Sequence, residues 1–223
     1  MDTKLLLNAI GKFTAGLILV GLMLFLPAGT IDYPNGWLFI LLLFVPMFLL
    51  GVWLMVKNPE LLKKRLKSKE DESEQKKVIS LSLILFIVGF IASALDYRFR
   101  ITHLPLWVVI IGAVLLLVSY GLYAEVMREN TYLSRTVEIQ ENQKVIDTGL
   151  YGIVRHPMYF AATLMFLSFP LVLGSGIGFA IFLAQPFLLV KRIKNEEEVL
   201  EKGLDGYTEY KKKVKYRLIP FIW

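Results

Sequence analysis

Two short runs in the last third of the chain hold side chains that could do chemistry. Arg155-His156-Pro157-Met158-Tyr159 offers a guanidinium, an imidazole and a phenol in close succession. Arg192-Ile193-Lys194-Asn195-Glu196-Glu197-Glu198 offers a second guanidinium and a row of carboxylates. Pro157 suits the first helical position, which sets His156 at a helix mouth where free N–H groups favour negative charge. On a continuing helix, Arg192 and Glu196 share a face at i, i+4. Glu197 falls on the apolar stripe of Ile193 and Leu200, so a carboxylate there needs a cationic or hydrogen-bonding partner. On pattern alone the first run also reads as an interfacial cap with an anchoring arginine. The second also reads as a solvated, charged helix end.

What the chain lacks narrows the chemistry. It has no cysteine, which excludes thiolate nucleophiles, thiolate metal sites and disulfides. Its two histidines, His103 and His156, fall near opposite predicted membrane faces, which argues against a metal centre. No glycine-rich phosphate loop, metal-ligand spacing or Ser-His-Asp arrangement can be assigned. A site built from His156, Tyr159, Arg192, Glu196 and Glu197 suits a positively charged, non-metal cofactor better than nucleotide phosphoryl transfer.

The elements that must position these residues lie in a membrane. Of the 223 residues 56% are hydrophobic, and the mean hydropathy is +0.57. That apolar content defines an integral membrane protein. The net charge of +6 then points to anionic headgroups and not to nucleic acid. A spanning helix needs about 20 apolar residues, and four segments qualify: Ala9–Ala28, Gly36–Val56, Val78–Leu95 and Leu106–Val126. The stretch Ile10 to Ala28 reads as a retained anchor, since no signal-peptidase site follows it. The apolar region from Met158 to Val190 is too long for one span and is broken at Gly174-Ser175-Gly176. It reads as a helical hairpin over 157–190, with two arms of about 16 residues. Pro170 and Pro186 are placed to kink the arms.

The expected fold is therefore all-α: four transmembrane helices, a C-terminal membrane hairpin and cytoplasmic helices. Lys and Arg set its orientation. The Asp96–Pro105 loop holds only Arg98 and Arg100, and the Thr30–Asn35 loop has none. The Lys57–Lys77 loop, the 127–157 segment and the tail from Lys191 are rich in them. Both termini, and the two reactive runs, are expected on the cytoplasmic side. Asn58-Pro59-Glu60 should start a short helix, with Leu61, Leu62 and Leu66 on the membrane surface and lysines snorkelling around them. Tyr132 to Ile146 fits a short β-hairpin or an irregular lid with a turn at Asn142–Gln143. The chain divides into a transmembrane region, 1–126, and a region bearing the chemistry, 127–223.

The hairpin returns its two ends to one face, so His156 and Tyr159 should meet Arg192 and Glu197. Several motifs then occur in order: Gly149-Leu-Tyr-Gly-Ile-Val-Arg-His-Pro-Met-Tyr159, Arg192-Ile-Lys-Asn-Glu-Glu197, Gly206-Tyr-x-x-Tyr210 and Tyr216-Arg-Leu-Ile-Pro220. Together they closely resemble the isoprenylcysteine carboxyl methyltransferase family, which includes phospholipid N-methyltransferases and bacterial members. The resemblance runs from about Glu125 to Trp223, and Asn58 to Arg65 adds to it. It implies an S-adenosylmethionine-dependent methyltransferase with a helical membrane fold. It implies that Arg155, His156, Tyr159, Glu196 and Glu197 enclose the cofactor, with Gly149, Leu150 and Tyr151 lining the pocket. It casts Arg192 as the catalytic residue that orients an acidic acceptor. The implied partners are membrane lipids and a lipophilic or lipidated acceptor: an isoprenylcysteine-type carboxylate, a phospholipid amine or a small thiol. Neither metal nor nucleic acid is implied. A sterol-reductase-like NADPH enzyme shares this C-terminal core and is the alternative, with a non-catalytic scaffold or small transporter as the third reading. The near-absence of ionisable residues in the spans argues against transport.

Overall fold

Long apolar runs without internal polar relief form helices in a bilayer, where each backbone group must find its partner within the segment. The computed structural model describes residues 3–66, 73–137 and 139–223. Lys67 and Lys69 of the basic loop, and Glu138, lie outside the described residues. The helices are α1 (Thr3–Ala28), α2 (Pro34–Lys57), α3 (Pro59–Leu66), α4 (Ser73–Phe99) and α5 (Leu106–Glu129). After an irregular segment and a 3-10 turn (Gly149–Gly152) come α6 (Pro157–Leu173), α7 (Gly176–Phe182), α8 (Gln185–Gly203) and α9 (Tyr207–Lys213). No strand occurs among the described residues. Among the described residues, five stretches are long and apolar enough to cross a membrane: α1, α2, most of α4, α5 and the combined Gly176–Gly203; α6 is shorter. Leu26, Ile31, Val56, Leu106 and Phe187 are among the large apolar side chains left on the outer surface. This is a multi-pass membrane protein whose outer face meets lipid.

The connections gather at two ends. At one end the Tyr33 hydroxyl donates to the Leu173 carbonyl at 2.9 Å, and the Tyr97 hydroxyl to the Asp32 carbonyl at 2.6 Å. The buried Asp96 carboxylate accepts from Ser175 at 2.5 Å, from the Thr102 amide at 2.6 Å and from the Thr102 hydroxyl. It thereby ties the end of α4 to the hairpin tip. The tip itself is a Schellman cap. Gly174 takes φ +74°, Ser175 N–H bonds to the Pro170 carbonyl and Gly174 N–H to that of Leu171, a turn that glycine enters without steric cost. Mid-bundle, Phe39, Phe86, Phe90, Phe169 and Phe182 interlock, with Phe39 and Phe169 edge-to-face at 5.1 Å. The reactive runs lie at the opposite end.

Three expectations change. The hairpin is asymmetric: α6 is one 17-residue helix, whereas the second arm breaks at Leu183–Ala184 and then runs unbroken to Gly203. Pro186 lacks an N–H and therefore starts α8 instead of kinking a continuous arm. The β-hairpin alternative for 132–146 is replaced by irregular chain. Its turn is present, with Asn142 at φ +56° and Gln143 N–H bonded to the Gln140 carbonyl. Side chains, not a partner strand, take its backbone groups: Gln140 Nε2 donates to the Tyr132 carbonyl, and Gln143 Oε1 accepts from Gln140 N–H. Finally, α3 is capped by Asn58 as expected, Oδ1 accepting from Leu61 N–H at 3.1 Å. Its leucines nevertheless turn inward. Leu61 and Leu62 are buried with Leu5, Leu54, Val126 and Tyr151, so α3 covers the bundle end and not the lipid surface.

Candidate functional site

The site forms where α6 begins and α8 runs out past the bundle. Pro157 is the first residue of α6 and His156 its N-cap position. One helical face of α8 carries Ile193 and Glu197, both buried. The C-terminal tail closes the third side. Arg155 N–H bonds to the Tyr216 carbonyl and His156 N–H to that of Arg217, each at 2.9 Å.

Glu197 is the hub beneath the site. It is 3% exposed, and each of its oxygens meets a cation. Oε1 accepts from Arg155 Nε at 2.7 Å and faces His156 Nε2 at 3.3 Å, while Oε2 accepts from Arg217 Nε at 2.8 Å. Arg155 also donates from Nη1 to the carbonyls of Val214 and Lys215, both at 2.8 Å. Since a carboxylate can only accept, the His156 proton belongs on Nε2. Nδ1 then faces Glu196 at 4.0 Å.

Above the hub is a cleft. Its walls include Tyr151, Arg155, His156, Tyr159, Arg192, Glu196 and Tyr207, and apolar side chains such as Val137, Val145 and Leu204 complete it. Tyr159 sits between the charged groups. Its hydroxyl donates to Glu196 and accepts from Arg192 Nε at 2.9 Å. Arg192 also lies over the Tyr159 ring, 5.9 Å from its centre, and its Nη2 donates to the Arg135 carbonyl at 2.8 Å. The sequence places Arg192 and Glu196 on one face; the structure links them through Tyr159.

Of the residues singled out in the sequence, Tyr151, Arg155, His156, Tyr159, Arg192 and Glu196 line the cleft. Gly149, Leu150 and Glu197 stand behind its wall. Gly149 has φ +53°, and a Cβ there would fall 1.5 Å from a Glu129 oxygen. That close approach lets Glu129 accept from Leu150 N–H at 3.0 Å. Tyr151 is held at both ends, its hydroxyl by Asn130 Nδ2 and its carbonyl by the Tyr210 hydroxyl. Burial raises the pKa values of Tyr151, Tyr207 and Tyr210, so all three remain protonated donors. At the rim, the hydrogen bond from Lys213 lowers the pKa of Asp147.

Sequence reasoning missed four supports. Arg217 lies in a quoted motif but had no role; it completes the Glu197 hub and covers the Trp223 ring at 5.3 Å. Glu129 and Asn130 end α5 with no pattern to distinguish them. Arg65 of α3 donates to the Ser134 carbonyl at 3.0 Å and to the Tyr123 hydroxyl. It therefore holds the irregular segment over the cleft.

Fold and site together define a class: all-helical membrane proteins with a polar cleft at one end of the bundle. Residues 107–205 match the phospholipid methyltransferase family. The fold is similar to that of the eukaryotic intramembrane Ras methyltransferase, isoprenylcysteine carboxyl methyltransferase. That match has a TM-score of 0.51 at 17% identity and covers 96% of this chain and 86% of that one. The two findings bear out the resemblance to the isoprenylcysteine carboxyl methyltransferase family. Curated relatives include the Delta(14)-sterol reductase TM7SF2 of Mus musculus, 32% identical over 91 residues (40% of this chain, 22% of the relative). Another is the Delta(14)-sterol reductase of Methylotuvimicrobium alcaliphilum, 26% identical over 144 residues (57% and 34%). The chain thus spans about a fifth to a third of the length of these relatives.

Proposed function

We propose that the protein is a membrane-embedded methyltransferase. On this reading it moves a methyl group from S-adenosylmethionine to a lipophilic acceptor at the cytoplasmic face. The observation that carries the reading is the cleft itself: Tyr159, Arg192 and Glu196 converge on it inside the segment that matches the methyltransferase family. Residues 127–223 carry the chemistry and residues 1–126 anchor it.

The residues present fit the cofactor. Bound there, S-adenosylmethionine would supply an electrophilic methyl group on a sulfonium sulfur. Glu196 is a partly exposed carboxylate able to hold an ammonium or a pair of ribose hydroxyls. The Tyr159 and Tyr151 faces suit a cation. Val137, Val145 and Leu204 offer apolar surface to a heteroaromatic ring. Methyl transfer needs alignment more than acid or base help, and the role of the chain is to align. Arg192, tethered to Tyr159 and to the Arg135 carbonyl, presents a fixed guanidinium plane that can pair both oxygens of an acceptor carboxylate. Residues of the segments 130–137 and 143–146 line one side of the cleft, where they would limit access of water to the bound cofactor.

The sterol-reductase reading is favoured by one observation, the curated relatives themselves. Titrating detergent-purified protein with S-adenosylhomocysteine and, separately, NADPH discriminates the two. A rise in Tm with S-adenosylhomocysteine alone is expected, since a ligand at 100 times its Kd adds about 2.7 kcal/mol. A rise with NADPH alone would move the protein to the reductase class. No response to either at millimolar concentration would remove both enzyme readings.

A further inference from the structure

Tyr207 begins α9 against the cleft, 4% exposed, with its ring 5.8 Å from that of Tyr210. The two tyrosines differ in one respect. Tyr210 spends its hydroxyl on the Tyr151 carbonyl. The Tyr207 hydroxyl is buried and has no hydrogen-bond partner among the described residues. A buried hydroxyl left unpaired is costly, and such groups in folded proteins are normally satisfied. Tyr207 is among the residues that line the cleft.

We infer that Tyr207 is a binding residue whose hydroxyl donates to an uncharged acceptor on the nucleoside half of the methyl donor, a ribose oxygen or a ring nitrogen. The inference rests on the reading of the cleft as an S-adenosylmethionine site. Two facts select a neutral acceptor over the amino-acid carboxylate of that ligand. The charges of Glu197 and Glu196, after burial, hold the Tyr207 hydroxyl in its protonated form, so it is a donor. The same two carboxylates disfavour a third negative charge beside it. The neighbouring surface, Leu200, Leu204 and Val145, is apolar, which suits the flat face of a base and not a zwitterion.

The test compares full-length wild type with Tyr207→Phe by calorimetric titration in detergent. The ligands are S-adenosylhomocysteine and 5′-methylthioadenosine, which keeps the nucleoside and lacks the amino acid. Phe preserves the ring packing and removes only the unpaired hydroxyl. The ligand-free variant should therefore melt at or above the wild-type Tm, and a large fall would reassign Tyr207 to the fold. Kd should rise roughly 3- to 10-fold for both ligands, the loss expected of one neutral hydrogen bond. A loss confined to S-adenosylhomocysteine would overturn the nucleoside assignment, as would failure of wild type to bind 5′-methylthioadenosine at millimolar concentration. Unchanged Kd for both would overturn the inference while leaving the cofactor reading intact. Failure of wild type to bind S-adenosylhomocysteine would defeat the cofactor reading first.

Discussion

At the residue scale, Glu196 and Glu197 are neighbours with different work. Glu196 faces the cleft and takes the Tyr159 hydroxyl. Glu197 faces inward and neutralises Arg155 and Arg217. The sequence distinguishes them only by the stripe Glu197 shares with Ile193, and that stripe correctly predicts its burial. Its partners were not legible, because Arg155 and Arg217 come from segments whose meeting depends on the tail folding back. Glu197→Gln should cost about 2–5 kcal/mol, since it leaves two buried or half-buried guanidinium groups without their counter-charge. Glu198 is exposed, and Glu198→Gln should stay within about 0.5 kcal/mol of wild type. Denaturation midpoints of the two variants in detergent test this; equal midpoints would show that the hub contributes nothing. Arg192→Lys probes the acceptor. A lysine cannot pair two carboxylate oxygens in one plane, so with a carboxylate acceptor turnover should fall about 10- to 100-fold, the loss of a charge-assisted pair. S-adenosylhomocysteine affinity should change less than about threefold. An equal fall in affinity and turnover would place Arg192 in the cofactor pocket, and a mild effect on both would indicate an amine or thiol acceptor.

At the element scale, α3 and the irregular segment form one unit. Leu61, Leu62 and Leu66 suit a lipid surface and a bundle end equally well as a pattern, so the sequence could show an amphipathic helix but not its direction. The direction follows from contacts made far along the chain: Lys64 with the Thr131 carbonyl, and Arg65 with the Ser134 carbonyl and Tyr123. These bonds hold segment 130–137 across the cleft, where no strand ladder supports it. Arg65→Ala should therefore loosen the lid without unfolding the bundle. Hydrogen exchange at residues 130–137 should rise about 5- to 160-fold, the opening expected on losing about 1–3 kcal/mol of charge-assisted hydrogen bonding. Exchange in α4 and α5 should be unaltered. Faster exchange throughout would mean that Arg65 supports the bundle and not the lid.

At the scale of the whole molecule, the four long spans were legible because a bilayer demands about 20 apolar residues. The hairpin was legible because its glycines interrupt a run too long for one crossing. The structure adds that Gly29 to Tyr33, residues 100–105 and Gly174-Ser175 converge at one end, with the cleft at the other. Arg98 and Arg100 sit at the hairpin-tip end; the reactive runs lie at the opposite end, with Lys144, Arg155 and Arg192 lining the cleft. The positive-inside rule predicts that the cleft end is cytoplasmic, the side from which a polar cofactor of intracellular origin would reach it. The chain contains no cysteine, so a single introduced thiol reports its side without background. Ile31 is 75% exposed at the hairpin-tip end, and Lys212 is exposed on α9 beside the cleft. In spheroplasts of an expression host, a membrane-impermeant maleimide should label Ile31→Cys directly, and Lys212→Cys only after the membrane is permeabilised. Labelling of both before permeabilisation would break the antiparallel order of the spans. Labelling of Lys212→Cys alone would invert the protein and leave the cleft facing a compartment without the methyl donor, which removes the cytoplasmic assignment and the methyltransferase reading with it.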